Sequence, residues 1–192
     1  MLEDFIKLII AAFIGAGMTT IFTSLIERIK EARASETAKE KLNEEVLDIL
    51  NILPDDMAVL CNTYKLLTRL KNGVDEHGID KPGLPKAIDS HYLEVFFKDA
   101  YLSLTRSQRE GIKTAISISK HIREDVESRR GRIHEIYNEQ PMQYKNVITY
   151  YTSLYHLLNC YIEHGDRFSL KRLDASISSD EILSSIGLSL FK

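Results

Sequence analysis

The run LIIAAFIGAGMTTIFTSLI, Leu8 to Ile26, continues without a break into ERIKEARASETAKEKL, Glu27 to Leu42, and the reading of that junction decides the fold. The first 19 residues carry no charge, and roughly 20 apolar residues suffice for a helix to cross the hydrocarbon core of a bilayer. A cleaved signal peptide has a shorter apolar region and a small-residue cleavage site. Here a charged helical pattern follows directly, so the segment is expected to be retained as an anchor. Gly15 and Gly17 weaken a helix in water, which disfavours the alternative of a buried helix in a soluble protein. Arg28, Lys30, Arg33, Lys39 and Lys41 follow the run, whereas only Lys7, beside Glu3 and Asp4, precedes it. The positive-inside rule then puts the N-terminus outside and the body in the cytoplasm.

Inside the run the small and hydroxylated residues recur in steps of four: Ala11, Gly15, Thr19 and Thr23, with Ala12, Ala16, Thr20 and Ser24 beside them. Phe13, Ile14, Met18, Ile21, Phe22, Leu25 and Ile26 fill the gaps. A winding stripe of small residues lets two helix backbones approach and lets hydroxyls bond across the contact. With one span per chain the partner helix comes from another copy, so the stripe points to a homo-oligomer in the membrane lipid. A ring of such helices would turn either the threonine-rich stripe or Lys7 toward a lumen. The plainer reading is a lone anchor whose small residues are incidental.

Beyond the span the apolar positions keep helical spacing, as in Val46, Leu47, Ile49 and Leu50, then Leu60, Tyr64, Leu67 and Leu70. The expected elements are a long helix from about Glu3 to Ile52, ended before Pro54, and a second from about Asp55 to Lys71. The glycine- and proline-rich stretch from Asn72 to Lys86 is the main loop. A third helix is expected over about Ala87 to Leu104, a fourth over about Ser107 to Glu139, and a fifth from about Met142 to His164, entered through Pro141. Ser179 and Asp180 should cap a short last helix reaching Leu190. No stretch alternates with period two for long enough to be a strand. The fold class is therefore all-α: a transmembrane helix with its cytoplasmic extension over 1–34, and a helical bundle over 35–192.

Composition narrows the function. The 192 residues carry 25 basic and 28 acidic side chains, a net charge of −3 spread along the whole length, so no concentrated basic surface announces general nucleic-acid affinity. Cys61 and Cys160 sit in apolar helical patterns and read as reduced, with no ligand spacing around them. No metal or other cofactor is expected. There is no glycine-flanked nucleophilic serine and no phosphate-cradling glycine loop. His156 and Cys160 lie four apart on one helix, where apolar neighbours favour a place in the core.

One short string is suited to chemistry: RRGRIH, Arg129 to His134. On a continuous helix Arg129 and His134 would project about 140° apart, whereas Arg130 and His134 would share a face. The pattern Arg129-x-x-x-x-His134 resembles the motif of HEPN domains, helical bundles that often dimerise to build an RNA-cleaving site from arginine and histidine. In such a site the arginine stabilises phosphate charge and the histidine acts as acid or base near neutral pH. Together with one span and a helical body of this size, the motif is similar to that of the small HEPN-like membrane proteins encoded beside the RNA-guided RNA nuclease of type VI-B CRISPR systems.

That resemblance implies a homo-oligomeric pore, a ring of about eight subunits, in the bacterial inner membrane. Such a pore would enhance antiphage defence by permeabilising or depolarising the membrane, with the RNA-guided CRISPR ribonuclease as functional partner. This sequence departs from nuclease-type motifs: Arg130 stands where a small polar residue is common, and Gly131 interrupts the helix between the pair. Arg130 and Arg132 become candidates for RNA or interface contact. The resemblance thus implies a non-enzymatic role, with a membrane-tethered ribonuclease using Arg129 and His134 as the alternative.

Overall fold

The computed structural model describes residues 2–73, 82–173 and 177–190, without the side chains of 2–20, 133, 134 and 172. The chain is all-α, with no strand among the described residues. The first helix, α1, runs unbroken over Leu2–Lys71, 70 residues with Pro54 inside it. The break expected before Pro54 does not occur. Proline removes one backbone hydrogen bond and crowds the carbonyl four residues earlier, but the buried positions Leu42, Val46, Ile49, Leu50, Leu53, Met57, Leu60 and Cys61 keep a single stripe through it. Splitting the helix there would turn the lower half of that stripe out of the core, so tertiary burial overrides the local penalty.

The other helices follow α1 in an up-and-down bundle. Helix α2 covers His91–Ala100, α3 Arg106–Arg130, α4 Pro141–His164 and α5 Ser179–Ser185. Helices α2 and α3 are shorter than the hydrophobic pattern suggests. Residues 86–90 are not helical, with the Asp89 carboxylate accepting from the His91 amide at 3.0 Å. Helix α3 stops at Arg130, and a separate 3₁₀ turn covers Ile133–Asn138. Pro141 occupies the first turn of α4 as expected, since its missing N–H is unpaired there in any case. The cap of α5 falls one residue earlier than Ser179: the Ser178 hydroxyl accepts from the Glu181 amide in a capping box. Thr105 and Gln108 form the same device at the start of α3.

Side-chain bonds fix the antiparallel order. The α2–α3 turn is tied to α1 by Ser103, whose amide donates to the Ser35 hydroxyl at 3.1 Å and whose hydroxyl donates to the Ser35 carbonyl. The end of α4 lies beside the same level of α1, where the Tyr161 hydroxyl donates to Asn43 at 3.2 Å and Lys39 pairs with Asp166 at 2.8 Å. At the opposite end the Thr63 hydroxyl and Gly83 exchange two 2.9 Å bonds, and Arg130 donates to the Pro85 carbonyl. Gly111 sits where any β-carbon would strike the Phe168 ring, bringing the start of α3 against the turn after α4.

The core therefore occupies the lower part of α1. Its first buried residue in the described region is Ser35, and every residue from 21 to 34 is exposed, including Ile21, Phe22, Leu25, Ile26 and Ile29. Among the described residues no helix is long and apolar enough to cross a membrane. Most of the uncharged run falls on residues 8–20, whose side chains lie outside those described, as do Lys7, Ala11, Gly15, Ala16, Thr19 and Thr20. Residues 74–81 of the expected long loop also lie outside them.

Because α1 is continuous at Pro54, Pro54→Ala should restore a hydrogen bond inside a packed helix. It should raise the unfolding free energy by about 1–2 kcal/mol, after subtracting the loss of proline's rigidity in the unfolded chain. Chemical denaturation followed by far-ultraviolet circular dichroism measures this; a lower midpoint would mean that the helix is built around the proline. Leu53→Ala, one residue earlier and fully buried, should cost about 3 kcal/mol in the same assay.

Candidate functional site

The string Arg129–His134 does not lie on one helix. Arg129 and Arg130 close α3, Gly131 caps it, and His134 belongs to the 3₁₀ turn. The shared face expected for Arg130 and His134 is therefore not formed. The His134 side chain lies outside the described residues. The three arginines diverge: Arg130 reaches the Pro85 carbonyl at 3.2 Å, while Arg132 turns back along α3 to the Ser128 hydroxyl at 3.2 Å. Arg129 alone enters the bundle, only 8% exposed.

The Arg129 guanidinium is held from three sides. Its Nε donates to Asp125, one turn earlier on α3, at 2.6 Å. A terminal nitrogen donates to Glu139, in the segment leading into α4. Its plane lies over the ring of Tyr144, 4.9 Å from the centroid, the geometry in which an aromatic face attracts a cation. Burial works against the arginine's charge, but Asp125 and Glu139 outweigh it and hold the group above its ordinary range. Burial, reinforced by Glu139, pushes the Tyr144 phenol up to about 12 against the opposing pull of Arg129. One cation between two carboxylates leaves a net negative cluster, so this arginine has no spare charge to offer a phosphate.

Beside the cluster opens a cleft of about 620 Å³ between α3 and α4. Its wall is polar: His121, Asp125, Arg132, Glu135, Asn138 and Gln143 contribute to it. The His121 ring meets Tyr150 edge to face at 4.5 Å. Asp125, Glu139, Tyr144 and His121 are the residues here that sequence reasoning missed. Asp125 was within reach, since an acid four residues before an arginine on a helix is a known pairing. Glu139 was not, because its approach depends on the helix ending at Arg130.

Thr23 and Ser24, the two stripe residues with described side chains, are both exposed, and the Ser24 hydroxyl donates to the Ile21 carbonyl at 2.9 Å. Burial pushes the Cys61 thiol up to about 11, far from the reactive thiolate range. Cys160 is half-buried, its sulfur 3.8 Å from Nδ1 of His156. No family model, no curated protein and no solved structure matches the chain.

Removing the arginine alone would leave two partly buried carboxylates without their cation. Arg129→Ala should therefore destabilise the fold by about 3 kcal/mol. The triple variant Asp125→Asn, Arg129→Met, Glu139→Gln should recover most of that loss. Denaturant midpoints of the two proteins check it; a triple variant no more stable than the single one would show that packing on Tyr144, not charge, carries the cluster.

Proposed function

We propose that the chain is a single-span membrane protein that assembles through its span and permeabilises the membrane, with the helical bundle as its cytoplasmic part. One observation carries the reading: every residue of α1 from 21 to 34 is exposed, with Ile21, Phe22, Leu25, Ile26 and Ile29 45–67% exposed there. They continue the uncharged run Leu8–Ile26, and lipid together with neighbouring copies is the environment that such a surface requires. Arg28, Lys30 and Arg33 then stand at the cytoplasmic surface. The stripe from Ala11 to Ser24 supplies the helix contacts, and a ring of copies, about eight by the resemblance, encloses the water path.

The bacterial inner membrane is the site of action in this reading, and the setting is the one the resemblance implies: enhancement of antiphage defence beside an RNA-guided CRISPR ribonuclease. The membrane-tethered ribonuclease is the weaker reading. The Arg129 guanidinium it needs for phosphate is held by Asp125 and Glu139.

The test is membrane potential in cells carrying this protein and the nuclease, before and after a matching RNA target is supplied. Potential should collapse on target addition. The collapse should be lost in the variant Gly15→Leu, Ala16→Leu, Thr19→Leu, which keeps the span apolar but fills the stripe. Protected cells with unchanged potential would exclude the pore and return attention to the ribonuclease.

A further inference from the structure

We propose that a second cavity, between α1 and the non-helical segment leading into α2, binds a small organic cation, with an ammonium or amidinium group on Asp56 and an apolar body against Ile49, Leu53 and Ile88. The cavity holds about 310 Å³, at the lower end of the range for small-molecule pockets. It shares no residue with the Arg129 cleft.

Asp56 is the anchor. It is 6% exposed, and one carboxylate oxygen accepts from the Lys86 amide at a long 3.3 Å. The other, Oδ2, is buried with no partner among the described residues. A carboxylate taken out of water without a partner is expensive, and proteins meet the cost with a cation or a proton. Burial raises the Asp56 carboxyl above its ordinary value. The Lys86 side chain lines the cavity and its charge offsets part of the burial, yet no ion pair joins it to Asp56 among the described residues.

The remaining walls select the ligand's sign and shape. Glu45, Asp48 and Asp89 line the same cavity. Asp89 is already engaged by Arg123 at 2.7 Å. Glu45 is held above its ordinary value by burial and by the neighbouring Asp48 and Asp89, a mark of like charges crowded on one side. Such a field repels anions. Among the described residues no three acidic, histidine or cysteine side chains converge to hold a metal ion, and the walls of Ile49, Leu53 and Ile88 suit hydrocarbon better than a hydrated ion. Tyr92, more than half exposed at the cavity and stacked on Phe96, offers a ring face to the same cation.

The probe is 2-phenylethylamine, added to the 192-residue chain with labelled isoleucine and leucine methyl groups in detergent, with neutral 2-phenylethanol as control. The methyl signals of Ile49, Leu53 and Ile88 should move saturably with the amine and at least about tenfold more weakly in affinity with the alcohol. Asp56→Asn, which keeps an oxygen for the Lys86 amide, should weaken the amine by about tenfold and bring it level with the alcohol. Equal affinity for amine and alcohol in the native chain, or an unchanged affinity in Asp56→Asn, overturns the proposal. If Asp56→Asn does not fold, Glu45→Gln decides: a severalfold loss supports the site, and no loss refutes it.

Discussion

The structure depends on one property of α1: its backbone hydrogen bonds are satisfied along its own axis, so the same helix can stand in two surroundings. Side chains then decide what each part of it meets. From Ala38 onward, Leu42, Val46, Ile49, Leu53 and Met57 give it a face to which α2 and α4 are applied antiparallel. From 21 to 34 every residue is exposed. The bundle is built on the lower part of a helix whose upper part is directed elsewhere, and both the oligomeric reading and the membrane reading rest on that division.

The all-helical character was legible in the sequence because the apolar positions keep a helical period and nothing alternates. The ends of the helices were less so. Pro54 has a real local cost, and sequence reasoning gave it the decision. The stripe through Leu50, Leu53 and Met57 outweighs it, a comparison that requires knowing what lies opposite. Gly131 errs in the other direction. A single glycine is tolerated in many helices, yet here α3 ends beside it, and the Glu135 amide bonds back to the Arg132 carbonyl in a tighter turn.

The same limit applies to the charged groups. Arg129 and His134 attracted notice as a motif, whereas the partners that define Arg129 come from Asp125 in the same helix and Glu139 beyond the turn. Asp56 carried no sequence signal at all, because its environment is made by the segment from Lys86, thirty residues on. Spacing along a chain reports pairs on one element. Burial, which sets whether a charge is an asset or a cost, is a property of the assembled core.

Continuity of α1 has a mechanical consequence. A helix advances about 1.5 Å and turns about 100° per residue, so the direction in which Thr23 and Ser24 face is fixed relative to the buried face at Leu42 and Val46. No loop intervenes to absorb a rotation. If copies associate through the stripe, their bundles must be arranged at the matching angle. Conversely, a contact that turns the bundles also turns the stripes. The Ser35–Ser103 bonds and the Lys39–Asp166 pair clamp the α2–α3 and α4 ends to α1 just below the uncovered segment.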